Sequence, residues 1–208
     1  MRILVSGFEP AFGIKRTPSG ELASMLKNGD MSVPGLSISG IVLPQIFRES
    51  TKHLLSAAAS FKPDAIVMLG ATPKSDPFRL ERFAINIENT QMGDNSQIPV
   101  HNRQIVFNGP AAYEASWDCQ KLSDFMKENH TSSSISYHAG THTCNSIFYE
   151  VMHYLTLRGM VGQIKAGFVH MPFPNEFGIS EHKGSTSSMS DLVSGLLVLL
   201  QGLGETYG

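Results

Sequence analysis

The chain has 208 residues, of which 41% are hydrophobic and 16% charged, with a formal net charge of -2. That length and apolar content are enough to bury one core, and a near-neutral, slightly acidic chain without a lysine or arginine run argues against nucleic acid or an anionic membrane as a general partner. Two cysteines are too few for a secreted disulfide scaffold, so both are expected reduced in a cytoplasm.

Residues 2–6 read as a short apolar strand, too short an apolar run for a signal peptide. Thr17-Pro18-Ser19-Gly20-Glu21-Leu22 opens a helix through about Asn28. A second strand over 36–43 ends at Pro44, and 48–61 is a helix with Leu54, Leu55, Ala58 and Ala59 on one side. Residues 64–69 are a buried strand followed by Gly70, and 82–88 alternate Phe83, Ile85 and Ile87 as a half-buried strand does. Residues 110–129 read as one helix that carries Cys119. Ile135, Tyr137 and Ala139 alternate with Ser136 and His138, and Gly140 permits a turn. After Cys144, the residues Ile147, Phe148, Val151, Met152 and Leu155 recur at helical spacing. A strand over 167–170 is stopped by Met171-Pro172. The last helix starts near Ser187; its apolar run 192–203, interrupted by Ser194, Gly195, Gln201 and Gly202, suits a buried helix better than a membrane span. Stretches around 75–77, 93–108 and 173–186 read as loops.

Alternating strands and helices predict an α/β fold: a single domain over 1–208 with three α/β/α layers and a largely parallel, twisted sheet. Function in such folds collects at the carboxyl ends of strands, where Gly7, Gly70, Gly140 and His170 are expected.

Cys144 falls at the head of a helix, where the dipole and the free backbone N–H groups lower a thiol pKa and favour the thiolate. The competing reading is a small buried hydrophobe. His170 suits a base that pairs with the thiol and later protonates a leaving group, or else a hydrogen-bonded structural histidine. His138 reads as a structural strand residue, and His142, in the turn, as a pocket residue. Glu81 lies in Phe78-Arg79-Leu80-Glu81-Arg82, where it could orient an imidazole or simply pair with Arg79 or Arg82 at the surface. Histidine spacing suggests no metal site, and no organic cofactor is implied.

Taken in order, these pieces carry a resemblance. Gly7-Phe8-Glu9-Pro10 with Pro18-Ser19, Leu43-Pro44, Lys62-Pro63-Asp64, Glu81-Arg82-Phe83-Ala84-Ile85-Asn86, Asp94-Asn95 with Pro99, Ser136-Tyr137-His138-Ala139-Gly140-Thr141 with Cys144-Asn145, and Ala166-Gly167-Phe168-Val169-His170-Met171-Pro172 run nearly end to end. The chain resembles the pyroglutamyl peptidase type I (pyrrolidone-carboxylate peptidase) family of cysteine peptidases. The resemblance implies Cys144 as nucleophile, His170 as base and acid, Glu81 as orienting carboxylate, and a thioester route that frees an N-terminal pyroglutamyl group from peptides. It also implies a homo-oligomer, commonly a tetramer.

The chain departs from the family at Ala11-Phe12-Gly13, at Gly70-Ala71-Thr72-Pro73-Lys74-Ser75, at Thr90-Gln91-Met92-Gly93 and at Thr141-His142-Thr143-Cys144. In the family several of these positions hold the lactam ring or the oxyanion. Phe12, Ala71, Gln91, His142 and Thr143 are therefore expected in the substrate or oxyanion pocket, with Phe12 restoring ring packing and Gln91 donating a neutral N–H. The altered pocket leaves open a hydrolase of a different lactam or acyl amide, or a non-catalytic binding protein on the same fold.

Overall fold

The computed structural model describes residues 1–11, 13–72, 77–177 and 187–208. The chain runs β1 (Arg2–Phe8), α1 (Pro18–Asn28), β2 (Ser37–Leu43), α2 (Glu49–Phe61), β3 (Ala65–Ala71), β4 (Phe78–Glu81), β5 (Phe83–Ile85), β6 (Glu88–Thr90), β7 (Val100–Arg103), β8 (Ala112–Glu114), α3 (Cys119–Glu128), β9 (Ser133–Ser136), α4 (Thr143–Leu157), β10 (Lys165–Met171) and α5 (Met189–Tyr207). The main sheet has six strands in the order β2-β1-β3-β10-β4-β9. Its central strands β1, β3 and β10 are buried almost throughout, as strands covered on both faces are.

Local chemistry sets the boundaries. Thr17 caps α1 by accepting from the Gly20 N–H, Pro18 fills the first turn, and Gly29 closes the helix in the left-handed region. A Cβ on Gly7 would lie 1.9 Å from the Ser19 carbonyl oxygen, so only glycine lets α1 pack this closely on β1. Ser188 and Asp191 form a reciprocal capping box at the start of α5. Among the described residues no helix is long and apolar enough to cross a membrane.

The sheet is parallel except around β4. β10 inserts between β3 and β4, parallel to the first and antiparallel to the second, and β4 pairs in parallel with edge strand β9. No periodicity announced β4.

Several predicted boundaries move. The helix expected over 110–129 is strand β8 followed by α3, because the Asp118 carboxylate accepts from the Gln120 and Lys121 N–H groups and so starts the helix there. The strand expected over 82–88 splits into β5 and β6 at Asn86, whose amide bonds the backbone of Val106 and Gly109. Within the predicted loop 93–108 lies β7, paired with β6. β9 ends at Ser136, so Tyr137 is exposed, His138 lies in a loop rather than a strand, and Gly140, at φ +82°, is a loop residue and not a strand end. Parts of the loops predicted at 75–77 and 173–186 lie outside the described residues.

Candidate active site

His170 arrives near the carboxyl end of β10, directly across from Gly70 on β3 and from Arg79 on β4. Cys144 lies in the first turn of α4. A Cβ on Gly70 would meet the Cys144 sulfur at 3.1 Å and the Phe168 ring at 2.8 Å. The sulfur therefore rests in a space that exists only because position 70 has no side chain, beside the residue that neighbours His170 across the sheet.

Glu81, fully buried on β4, accepts from His170 Nδ1 at 2.7 Å. A carboxylate oxygen can only accept, so this contact assigns the imidazole proton to Nδ1. It leaves Nε2 as the basic nitrogen, with no hydrogen-bond partner among the described residues. The Phe168 ring packs 4.8 Å from the imidazole, centroid to centroid. Arg79 Nη2 donates to the same Glu81 oxygen at 3.3 Å and to Ser136 Oγ at 2.9 Å. The other oxygen, Glu81 Oε2, is buried with no hydrogen-bond partner.

The thiol differs from the sequence expectation. Burial pushes the Cys144 thiol up to about 12, the Glu81 charge pushes in the same direction, and its own backbone N–H only partly opposes them. Cys144 keeps some exposed surface as a residue, but its sulfur is lodged against Gly70, and desolvation there outweighs the helix terminus. The resting group is a thiol, which becomes nucleophilic only if a base takes its proton. Cys119 is buried and raised to about 11 by burial.

The other predicted site residues are distributed as follows. His142 is the N-cap residue of α4 but makes no side-chain cap bond. Its Nε2 pairs with the Gly93 carbonyl at 2.6 Å and its Nδ1 with Thr143 Oγ1 at 3.0 Å, and its ring lies 5.6 Å from Phe47. Burial lowers the His142 pKa, more than the Gly93 carbonyl, Asp94 and Glu88 raise it. Thr143 is fully buried. Ala71 ends β3, half-buried and paired with Met171. Gln91 is exposed after β6 and forms no hydrogen bond among the described residues. Phe12 lies outside the described residues.

Sequence reasoning passed over the groups that seat the nucleophile helix. Asn145, buried beside Cys144, accepts from the Ile85 N–H at 2.9 Å and donates to the carbonyls of Ile85 and Ile87 at 2.8 and 3.0 Å. Ser146 donates to buried Glu88 at 2.5 Å, and Glu88 in turn holds Arg48 and Arg103. A buried polar pair directly after a helix-head cysteine was the available signal, since such residues need partners. A cavity of about 370 Å³ lined by Leu55, Ala58, Asp64, Tyr154 and Met160 lies near the start of β3, away from His170 near the end of β10, and its lining holds neither cysteine nor histidine.

The chain is similar to known proteins along nearly its whole length. The pyroglutamyl peptidase family profile matches residues 1–201. A pyrrolidone-carboxylate peptidase from Thermosipho melanesiensis is 30% identical over 98% of both chains, and one from Bacillus licheniformis is 32% identical over 95% of this chain and 89% of its own. Among solved structures, pyroglutamyl peptidase I from Bacillus amyloliquefaciens superposes with a TM-score of 0.86 at 28% identity, covering 95% of this chain and 94% of its own. A variant of the pyrrolidone carboxyl peptidase from Pyrococcus furiosus superposes over the whole of both chains with a TM-score of 0.90 at 26% identity. With the profile spanning nearly its full length, this chain belongs to the pyroglutamyl peptidase family of cysteine peptidases.

Proposed function

We propose that the protein frees N-terminal pyroglutamate from peptides with Cys144 as nucleophile, His170 as general base and acid, and Glu81 as the group that orients the imidazole. The observation that carries this reading is the buried 2.7 Å contact between His170 Nδ1 and Glu81, which leaves Nε2 basic on a strand next to the one the Cys144 sulfur touches. Nε2 takes the thiol proton as sulfur attacks the lactam-bearing acyl carbon. The imidazolium is held by the Glu81 charge, and the new oxyanion by the Cys144 backbone N–H in the first turn of α4, with Gln91 as a second donor. On collapse, His170 returns the proton to the departing amine and a thioester remains. Water, deprotonated at Nε2, then cleaves the thioester, and the proton restores the thiol.

Ala71, His142 and Thr143 shape the ring pocket in this reading. The Gly93 carbonyl and the Thr143 hydroxyl engage both nitrogens of His142, so it offers the ring face rather than a polar edge. The active chain is one pyroglutamyl-peptidase-like domain over 1–208. Free Cys119 and Cys144 support a cytoplasmic setting, and the exposed apolar Phe107, Leu157, Met92 and Ile98 support a homo-oligomer, a tetramer by family.

Hydrolysis of a fluorogenic pyroglutamyl amide, beside Cys144→Ala, tests the proposal. Turnover abolished by the substitution is the expected result, and turnover that survives it overturns the assignment. No turnover, with Cys144 still selectively alkylated by iodoacetamide, redirects the same nucleophile to a different lactam or acyl amide.

A further inference from the structure

We propose that Arg79 is a positioning residue that sets the pH range in which the Cys144–His170 pair works. Antiparallel pairing places Arg79 opposite His170 and Glu81 opposite Phe168, and Ser136 stands opposite Glu81 on β9. Side chains directly across a ladder share a face, so Arg79, Glu81, His170 and Ser136 lie together on one side of the sheet. Imidazole and guanidinium both bind Glu81 Oε1, at 2.7 and 3.3 Å, while Oε2 is left unpartnered. The Ser136 hydroxyl holds the guanidinium in place at 2.9 Å. The Arg79 side chain is 27% exposed and that of Glu81 is 0% exposed, so solvent screens the pair far less than a surface ion pair.

Among the described residues the charges around the pair are few. β4 supplies Glu81 and Arg79, β9 supplies the neutral Ser136, β3 contributes only Gly70, and the head of α4 contributes Cys144 itself and His142, tied to Gly93. Glu81 alone would hold a proton on His170 and oppose a thiolate at Cys144, which it already pushes upward. Arg79, 3.3 Å from the oxygen that the imidazole also binds, cancels part of that charge. Removing it leaves Glu81 uncompensated beside a pair that must exchange one proton, so both limbs of the pH–rate profile are expected to move upward.

The proposal rests on the reading of Cys144 and His170 as a pair, and the test separates the two. Purified protein is alkylated with iodoacetamide across pH, with the kcat/KM profile measured beside it, for wild type, Arg79→Met, Arg79→Lys and Ser136→Ala. Arg79→Met is expected to raise the acid limb by about one pH unit, a roughly tenfold slower alkylation at a fixed pH below that limb. Arg79→Lys keeps the charge and restores most of the profile, and Ser136→Ala shifts it less, in the same direction as Arg79→Met. If Arg79→Met does not fold, the lysine and serine variants carry the test. Rates lowered at every pH with unmoved limbs, or a lysine variant that shifts as far as methionine, overturn the role of Arg79. Equal, slow alkylation of Cys144 and Cys119 in the wild type overturns the pair itself and the proposal with it.

Discussion

Among the described residues two glutamates are fully buried, and they are treated in opposite ways. Both oxygens of Glu88 are taken: Arg48 bonds them at 2.6 and 3.2 Å, Arg103 bonds one of them at 2.9 and 2.7 Å, and Ser146 adds a hydroxyl at 2.5 Å. Two cations answer one anion, and the network holds Arg48 at φ +67°, a conformation non-glycine residues seldom keep without such support. Glu81 has one oxygen shared between His170 and Arg79 and the other without a partner. A saturated carboxylate has spent its charge on holding backbone segments together. In the proposed mechanism, an under-satisfied one keeps charge in reserve for an imidazolium that exists only during turnover.

The largest effect that tests this contrast is catalytic. Glu81→Gln keeps the shape and removes the charge, and kcat is expected to fall about 10²–10⁴-fold with little change in thermal midpoint. Steady-state kinetics beside calorimetry measures both, and a stability loss as large as the rate loss would erase the distinction. Glu88→Gln should do the reverse. It leaves Arg103 without its carboxylate and Arg48 with Glu150 alone, and because both cations are more than a third exposed the cost is expected at about 2–3 kcal/mol in urea unfolding, below that of a fully buried pair. Its kcat/KM should change less than about tenfold, since no contact to the reacting atoms is lost.

The smallest effect is a slope. His142 has a folded pKa below its ordinary 6.5, so the unfolded chain takes up its proton first. Its contribution to stability is complete above pH 6.5 and is lost as pH falls from there through the lowered folded value. His142→Gln should flatten that part of the stability–pH curve. Asp94 acts at lower pH: burial would raise its pKa, but donors from Ser96 and Phe47 outweigh burial and hold it below 3.8. The loss it causes begins only as pH drops beneath 3.8, so the two groups separate in a single titration of unfolding midpoints.

Much of the fold was legible because its signals are local. Thr17, Pro18 and Gly29 mark both ends of α1, and the apolar recurrence after Cys144 marks α4. Asp118 misled because an aspartate inside an apolar pattern reads as an exposed helix residue until its carboxylate is seen on the first N–H groups. The residues of the candidate triad could be named from their neighbours and from ordered family motifs. Their electrostatics could not. The raised thiol comes from burial against Gly70 and from the Glu81 charge, both far from Cys144 in sequence, and the burial of Glu81 comes from the reversed direction of β4. A surface pair between Glu81 and Arg79 was the plain expectation. The pair does form, but beneath the surface, because a strand running against β10 carries its last residue into the sheet rather than out of it.

The insertion of β10 between β3 and β4 has a consequence for synthesis. Strands neighbouring in sequence are left apart in space until a segment made much later fills the gap. A nascent chain extended as far as Leu157 already carries Cys144 and Glu81 but has neither His170 nor the strand that separates β3 from β4. On the ribosome, the proposed nucleophile would therefore wait as an unassisted thiol, and the proposed triad is complete only when the sheet closes around its last strand.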